Sequence, residues 1–320
     1  MQSKLQRRDF IGGMAALAAA TCLPSQTLTA RALLYPPTDL SYFDTPIPPG
    51  PGNIQFGYAA ITWGGNDRQA IDDVSSLGFR GIQIRSNAVE EFGSAQSLRD
   101  LLQKHNLTFV ALSSGGISID APQAGEIAKH VAHAKFLLDA GGKYLQVTDD
   151  RPKGREITSA DCKRLGLLLT ELGKRTANLG ISLGYHNHMG SMGERPEQVD
   201  WILEATDPRY AKLELDIAHY YQGGGDPVKA IEKYSDRLLF LHIKDVEKLP
   251  NVTDPQKNYR FVELGRGEVD LPAVFKALDK VKFRGWAIVE LDDVPDKAGT
   301  PKECAAISKK YLEEKLGVTL

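Results

Sequence analysis

The 320-residue sequence has few cysteines, no excess of charge of either sign and no long apolar run. Its 3 cysteines are too few for a disulfide framework in a chain of this length. The formal net charge of −2 offers no broad basic surface, so we expect no nucleic-acid partner. No segment reaches the ~20 apolar residues that span a bilayer, so we expect no stable membrane anchor. The composition, 42% hydrophobic and 25% charged, is that of a globular chain with a sizeable core.

Residues 1–32 differ from the rest of the chain in charge and in pattern. They carry a net charge of +3, which leaves −5 for the remainder. The pair Arg7 and Arg8 precedes the tripeptide DFI, and the apolar run of residues 14–20 leads into a small-residue end. This order is typical of a secretory signal peptide, and the arginine pair resembles a twin-arginine export signal. We therefore predict a twin-arginine signal peptide and an exported, periplasmic protein.

Beyond residue 32 the chain divides into a proline-rich segment and a repeating region. Residues 33–53 hold six of the 17 prolines, which indicates a linker or arm. From residue 54 to residue 320, β-rich runs alternate with segments of helical periodicity, and we predict a single domain. The eight runs lie at residues 55–61, 81–84, 108–112, 144–147, 182–185, 212–215, 238–243 and 286–291.

The number and spacing of these runs predict the fold. Strands that alternate with helices favour a parallel sheet, and eight units over about 250 residues fit a (β/α)8 TIM barrel of the α/β class. A doubly wound open sheet is the alternative. Its fingerprint Gly-x-Gly-x-x-Gly does not follow the first run, which ends ITWGGND. We therefore predict the TIM barrel.

Polar side chains gather at the ends of the last four runs, where the active site of such a barrel lies. Two imidazoles and two carboxylates on successive strands form a mixed set that suits Mn²⁺, Co²⁺, Fe²⁺ or Zn²⁺. A hydrogen-bonded structural histidine is the alternative for any one of them alone. Because the ends of four successive strands each carry an ionisable residue, we predict one divalent metal ion, held by His186, Asp216, His242 and Glu290.

Several ordered motifs in this region resemble a known family. They are YHNHMG at residues 185–190, DIAH at 216–219, HIKDV at 242–246 and GRGEVD at 265–270. Together they are similar to the xylose isomerase-like barrel superfamily of sugar isomerases and epimerases over residues 54–315, and within it to inosose dehydratase and its relatives. His186 stands where the ketose epimerases carry a glutamate that is both ligand and base, so the resemblance does not extend to two-base epimerisation. Gln83 stands where relatives commonly carry a glutamate on the second strand. Endonuclease IV shares the barrel, but the Asp-x-His of its zinc cluster is missing from the loop RFVELG at residues 260–265.

The resemblance implies roles for individual residues. It places a carboxylate base at Glu290, which we expect to act both as metal ligand and as general base. His188, His219 and Lys244 are candidates for protonating a leaving hydroxyl or for binding substrate oxygens. Arg85 is either a contact for an acidic substrate or a salt-bridged surface arginine. Trp63 is either an apolar platform for a sugar ring or a packed tryptophan at the barrel rim.

Three functions follow from this set of residues. The first is a metal-dependent isomerase or epimerase that acts through an enediolate on a free sugar or keto-polyol. The second is a metal-dependent lyase that dehydrates a keto-inositol or a 3-keto sugar. The third is a non-catalytic, exported barrel that binds carbohydrate. In each case we expect a small-molecule carbohydrate partner, and a homo-oligomer is left open.

Overall fold

A computed structural model describes residues 53–254, 257–295 and 299–320. The predicted signal peptide at residues 1–32 and residues 33–52 of the predicted arm lie outside the described residues. Within the described part of the chain, no helix is both long and apolar enough to cross a bilayer.

Eight parallel strands close into a barrel, which confirms the predicted (β/α)8 TIM-barrel fold. Neighbouring strands follow chain order, and the last barrel strand pairs with both the seventh and the first. The carboxyl ends of all eight strands therefore meet at one mouth. The barrel strands are β1 (Ile54–Ala59), β2 (Gly81–Arg85), β3 (Thr108–Ile117), β4 (Tyr144–Asp149), β5 (Ser182–His186), β6 (Ala211–Asp216), β7 (Leu238–Ile243) and β10 (Gly285–Val289).

The helices surround the barrel and begin where the sequence supplies capping residues. Thr158 and Asp161 form a reciprocal capping box at the start of α5, and Thr300 and Glu303 do so at α10. The helices are α1 (Asp67–Ser76), α2 (Ala88–Glu91), α3 (Ala95–Lys104), α4 (Gln123–Asp139), α5 (Ser159–Ala177), α6 (Pro196–Glu204), α7 (Ile217–Gln222), α8 (Pro227–Lys233), α9 (Leu271–Lys280) and α10 (Pro301–Leu316).

The barrel interior is filled at its amino-terminal end by large aromatic side chains. Phe240 is fully buried and stacks on Tyr144 with 5.3 Å between ring centroids. Trp286 lies against Gly81, where a Cβ atom would approach the indole Cζ3 to 2.3 Å. A glycine at residue 81 therefore makes room for the tryptophan, and large side chains pack this end of the barrel.

The structure differs from the sequence prediction at several strand ends, those of β1 and β3 among them. Strand β1 stops at Ala59 and continues as the 3₁₀ turn Ala60–Trp63, whereas the prediction carried it to residue 61. Strand β3 runs to Ile117, past the predicted end at residue 112, because a shift in its pairing with β4 between Ser113 and Gly116 absorbs the two glycines there.

An antiparallel hairpin, which was not predicted, follows β7. Its strands are β8 (Asp245–Lys248) and β9 (Tyr259–Val262). The buried carboxylate of Asp245 accepts hydrogen bonds from the backbone N–H groups of Val246, Gly265, Gly267 and Val269. Four donors on one carboxylate fix the hairpin and the loop that follows it against the barrel mouth.

Helix α4 is held on β3 by a buried polar cluster. The hydroxyl of Ser114 lies 2.6 Å from His130 Nδ1 and 2.7 Å from His133 Nδ1. His130 is fully buried, and burial together with the charge of Lys129 lowers its pKa to about 4. The imidazole of His130 is therefore neutral in the folded protein at neutral pH.

We expect His130 to make the fold sensitive to acid. The unfolded chain binds a proton at this histidine near pH 6.5, whereas the folded chain does not until about pH 4. The free energy of unfolding should therefore fall by up to about 3 kcal/mol between these pH values. When the free energy of unfolding is measured with urea at several pH values between 7 and 4, it should fall less with decreasing pH for His130→Gln than for the parent. His105→Gln is the control, because it alters a partly exposed histidine that lies 3.1 Å from Asp72. An equal dependence of the unfolding free energy on pH for His130→Gln and the parent would contradict the role assigned to His130.

Candidate metal centre

The four predicted metal ligands meet at the mouth of the barrel. His186, Asp216, His242 and Glu290 are all buried, and each offers a ligand atom that lies within 4.8 Å of the others. The closest approaches join His242 Nδ1 to Glu290 Oε2 at 3.0 Å and to Asp216 Oδ2 at 3.5 Å. The geometry brings together the set that the sequence predicted. Its role as a metal centre stays a prediction.

Hydrogen bonds with neighbouring residues fix the orientation of the Asp216 carboxylate. It is the N-cap of α7, and its Oδ1 accepts hydrogen bonds from the backbone N–H groups of Ala218 and His219. The side chain of Asn187 bonds both backbone groups of Asp216, at 3.0 and 3.1 Å, and so ties the end of β5 to the end of β6. With Oδ1 engaged by the helix, Oδ2 is directed toward the other ligands.

The donor set fits a divalent cation. Asp216 Oδ2 and His242 Nδ1 are buried and have no hydrogen-bond partner among the described residues. Buried polar atoms without partners are costly, and a cation between them would satisfy both. Two imidazoles with two carboxylates suit Mn²⁺, Co²⁺, Fe²⁺ or Zn²⁺, in agreement with the sequence prediction.

A second group of imidazoles lies beside this one. His186, His188 and His219 also bring ligand atoms within 4.8 Å of one another. His219 is already engaged, because its Nδ1 accepts the backbone N–H of Met189 at 3.2 Å and its Nε2 lies 3.2 Å from Lys244 Nζ. The mixed set therefore offers the better cation site, and His188 and His219, whose ring centroids are 3.8 Å apart, lie at its edge.

Lys244 connects the centre to a further carboxylate. Its ammonium is fully buried and donates to Glu290 Oε2 at 3.0 Å and to Asp292 Oδ1 at 2.6 Å. Burial alone would lower the pKa of Lys244, but the charges of Asp292 and Glu290 raise it above its ordinary value. Burial would raise the pKa of Glu290, yet the charges of His242 and Lys244 hold it well below its ordinary value. The centre thus contains a protonated lysine beside an ionised glutamate.

The two predicted substrate residues have different surroundings. Trp63 is 8% exposed, packs edge-on against Tyr58, and donates its indole N–H to Asp73 Oδ2 at 2.9 Å. These contacts favour the packing alternative for Trp63. Arg85 is half-buried at the end of β2, two residues beyond Gln83, so both side chains share a strand face that leads to the centre. Arg85 therefore remains the candidate contact for substrate.

The sequence did not identify the hairpin residues that reach the centre. The ring of Phe261 on β9 lies 4.0 Å from Lys244 Nζ and has its centroid 4.7 Å from that of His219. Phe261 covers the lysine and shields it from water. An aromatic residue in a loop after β7 carries no distinctive pattern in the sequence. Asp245 and the glycines at 265 and 267, which meet in the structure, are the features of the sequence that mark this loop.

The fold and site define the class: a (β/α)8 barrel with a candidate metal centre at the carboxyl ends of its strands. Residues 71–311 match the Xylose isomerase-like TIM barrel family, so the chain belongs to that family. The family predicted from the sequence is confirmed.

The chain aligns with similar proteins over nearly the whole barrel. The chain is 26% identical to the inosose dehydratase of Lacticaseibacillus casei over 299 residues, which cover 83% of this chain and 98% of the relative. It is 25% identical to the inosose dehydratase of Clostridium beijerinckii, with 82% of this chain and 98% of that relative covered.

Solved structures share the fold at lower identity. The IolI protein with a bound zinc atom superposes with a TM-score of 0.71 at 20% identity, over 82% of this chain and 98% of that one. A sugar phosphate isomerase/epimerase from Parabacteroides distasonis has a TM-score of 0.66 at 20% identity, over 84% of this chain and 96% of that one.

Proposed function

We propose that this protein is a divalent-metal-dependent lyase that dehydrates a keto-inositol or a related keto sugar. The observation that carries the proposal is the carboxylate of Glu290, held between the candidate metal ligands and a buried lysine. The full-length similarity to inosose dehydratases supports dehydration as the reaction.

Glu290 is the proposed base. Its Oε2 makes all the contacts found for this carboxylate among the described residues, with His242 and Lys244, which leaves Oε1 available to take a proton. Asp216 is unsuited to this role because its Oδ1 caps α7 and its Oδ2 faces the candidate metal ligand His242. We therefore assign the removal of the proton beside the substrate carbonyl to Glu290.

The bound metal would be held by His186, Asp216, His242 and Glu290. It would act as a Lewis acid that polarises the substrate carbonyl and makes the neighbouring C–H bond more acidic. Phe261 and the hairpin exclude water from Lys244, which strengthens the electrostatic interactions around Glu290.

The acid that protonates a leaving hydroxyl is proposed among the residues at the edge of the centre. Lys244 is charged and donates to Glu290, and His188 is half-buried at the edge of the centre. Burial and the charge of Lys244 lower the pKa of His219 well below its ordinary value, so His219 is better suited to positioning than to proton donation. We propose His188 as the acid and Lys244, whose raised pKa disfavours proton release, as a group that binds substrate oxygens.

Isomerisation is the second candidate, because it begins with the same proton transfer. A single-base isomerase would return the proton from Glu290 to a neighbouring carbon and needs no second base. Two-base epimerisation is disfavoured, because His186 supplies an imidazole in place of a second carboxylate. We rank isomerisation after dehydration because the chain is similar to inosose dehydratases.

Incubation of the metal-loaded protein with a panel of keto-inositols, 3-keto sugars and ketoses in deuterated water distinguishes these functions. Dehydration should give a 1,2-diketone whose enol tautomer, an α-hydroxy enone, absorbs in the ultraviolet. Deuterium incorporation without loss of water would identify an isomerase or epimerase instead. Tight sugar binding without either reaction would contradict both and would favour a carbohydrate-binding barrel. Protein treated with a chelator is the control.

We also propose that the protein acts after export. Sugar phosphates are mainly intracellular, so a periplasmic enzyme would act on a free sugar, a polyol or an oxidised glycoside. The support is the arginine pair at Arg7 and Arg8 ahead of a short apolar run. Substitution of both arginines by lysine should retain the protein in the cytoplasm, as measured by cell fractionation, and undiminished export would contradict the proposal.

A further inference from the structure

A buried carboxylate that is not among the candidate metal ligands lies directly behind them. Glu214 lies on β6, two residues before Asp216, and is fully buried. Its Oε1 is 2.6 Å from His242 Nε2, and its Oε2 is 3.8 Å from His186 Nδ1. One carboxylate therefore faces both imidazoles of the candidate centre.

Glu214 lies on the side of the His242 ring that faces away from Asp216 and Glu290. His242 turns Nδ1 toward Asp216 and Glu290, and turns Nε2, the other ring nitrogen, toward Glu214. The amide oxygen of Gln83 also lies 2.9 Å from Nε2. Two oxygens at Nε2 favour a proton on this nitrogen, and a metal ion bound beside Asp216 and Glu290 would then take the lone pair of Nδ1.

A fully buried carboxylate is costly unless it is compensated. Neither oxygen of Glu214 has a hydrogen-bond partner of good geometry in the described part of the chain, and its ion-pair contacts are with His242 and His186. The two imidazoles are thus the contacts that account for its presence. Removal of Glu214 would leave the orientation of His242 to the neutral amide of Gln83 alone.

We infer that Glu214 is a positioning residue that holds His242 with Nδ1 toward the metal. The inference rests on the metal dependence in the proposed function. A carboxylate that accepts the distal N–H of a ligating histidine fixes the ring and raises its basicity. Glu214 would therefore strengthen metal binding without touching metal or substrate.

The test is the metal affinity of Glu214→Gln, measured by competition with a chromophoric chelator for Zn²⁺ and Co²⁺. Glutamine keeps the size of the side chain but removes the charge. We expect the dissociation constant to rise about 10- to 100-fold, the range found when such partners are removed. The absorption spectrum of bound Co²⁺ should also shift, because the ligand field at His242 changes. At saturating metal, the loss of kcat should be larger than any change in KM.

Glu263→Gln is the matched control, because Glu263 is also buried but pairs with Arg266 at 3.1 Å instead of with an imidazole. It should leave the metal dissociation constant and the Co²⁺ spectrum unchanged. A Glu214→Gln protein with parental affinity and spectrum would overturn the inference while leaving the metal centre intact. Failure of the parent protein to bind any metal would overturn the inference and the proposed function together.

A measurement on the parent protein covers the case in which Glu214→Gln does not fold. Nitrogen-15 NMR of the zinc-loaded protein should show His242 bound to metal through Nδ1 and protonated at Nε2. The proton on Nε2 should be shifted downfield by its hydrogen bond to a carboxylate. Metal bound through Nε2 would overturn the inference.

Discussion

Glu290→Gln is expected to lower kcat by about 10²- to 10⁴-fold, the contribution typical of a positioned general base. Glutamine keeps an oxygen for the metal but cannot take a proton. The loss should persist at saturating metal, where weakened metal binding no longer contributes. Initial rates of the ultraviolet-absorbing product, with metal content measured on the same samples, check this expectation.

The neighbouring carboxylate Asp293 supplies the control for that variant. It is exposed and accepts a hydrogen bond from the backbone N–H of Val294. Asp293→Asn removes the same charge three residues further along the chain and should retain parental kcat. Turnover by Glu290→Gln within a factor of about ten of the parent would exclude Glu290 as the base, since removal of a general base costs more than that.

Asp216→Asn is expected to weaken metal binding by more than about 100-fold, since loss even of a ligand's outer partner costs 10- to 100-fold. Asparagine accepts the same N–H groups of Ala218 and His219 that cap α7, so the fold should be kept. Loss of metal with an unchanged unfolding midpoint of the metal-free protein would separate the ligand role of Asp216 from its capping role.

Asp226→Asn is the control, because Asp226 caps α8 through the same kind of contacts, to the N–H groups of Val228 and Lys229, and is exposed. It should bind metal like the parent. Parental metal affinity in Asp216→Asn would contradict the assignment of Asp216 as a ligand.

The sequence was sufficient to predict the barrel and the residues that gather at its mouth, and the reason is geometric. In a parallel barrel the carboxyl ends of all strands meet, so residues at those ends converge whatever their distance along the chain. His186 and Glu290, 104 positions apart by residue number, illustrate this. Strand alternation placed their side chains on the correct face.

Contacts made by side chains from different strands could not be predicted in the same way. Glu214 shares a face with Asp216, but its approach to His242 depends on the register between β6 and β7, which shifts between Leu213 and Glu214. Phe261 reaches Lys244 only because Asp245 gathers four backbone donors and folds the hairpin across the mouth. Neither contact has a periodic signal in the sequence.

The centre itself is tested most directly by anomalous diffraction from crystals of the protein loaded with Mn²⁺, Co²⁺ or Zn²⁺, recorded above and below the absorption edge of the metal. The account predicts one strong peak within bonding distance of His186, Asp216, His242 and Glu290, with Nδ1 as the ligand atom of His242. The absence of a peak there, or a metal bound elsewhere on the chain, would contradict it.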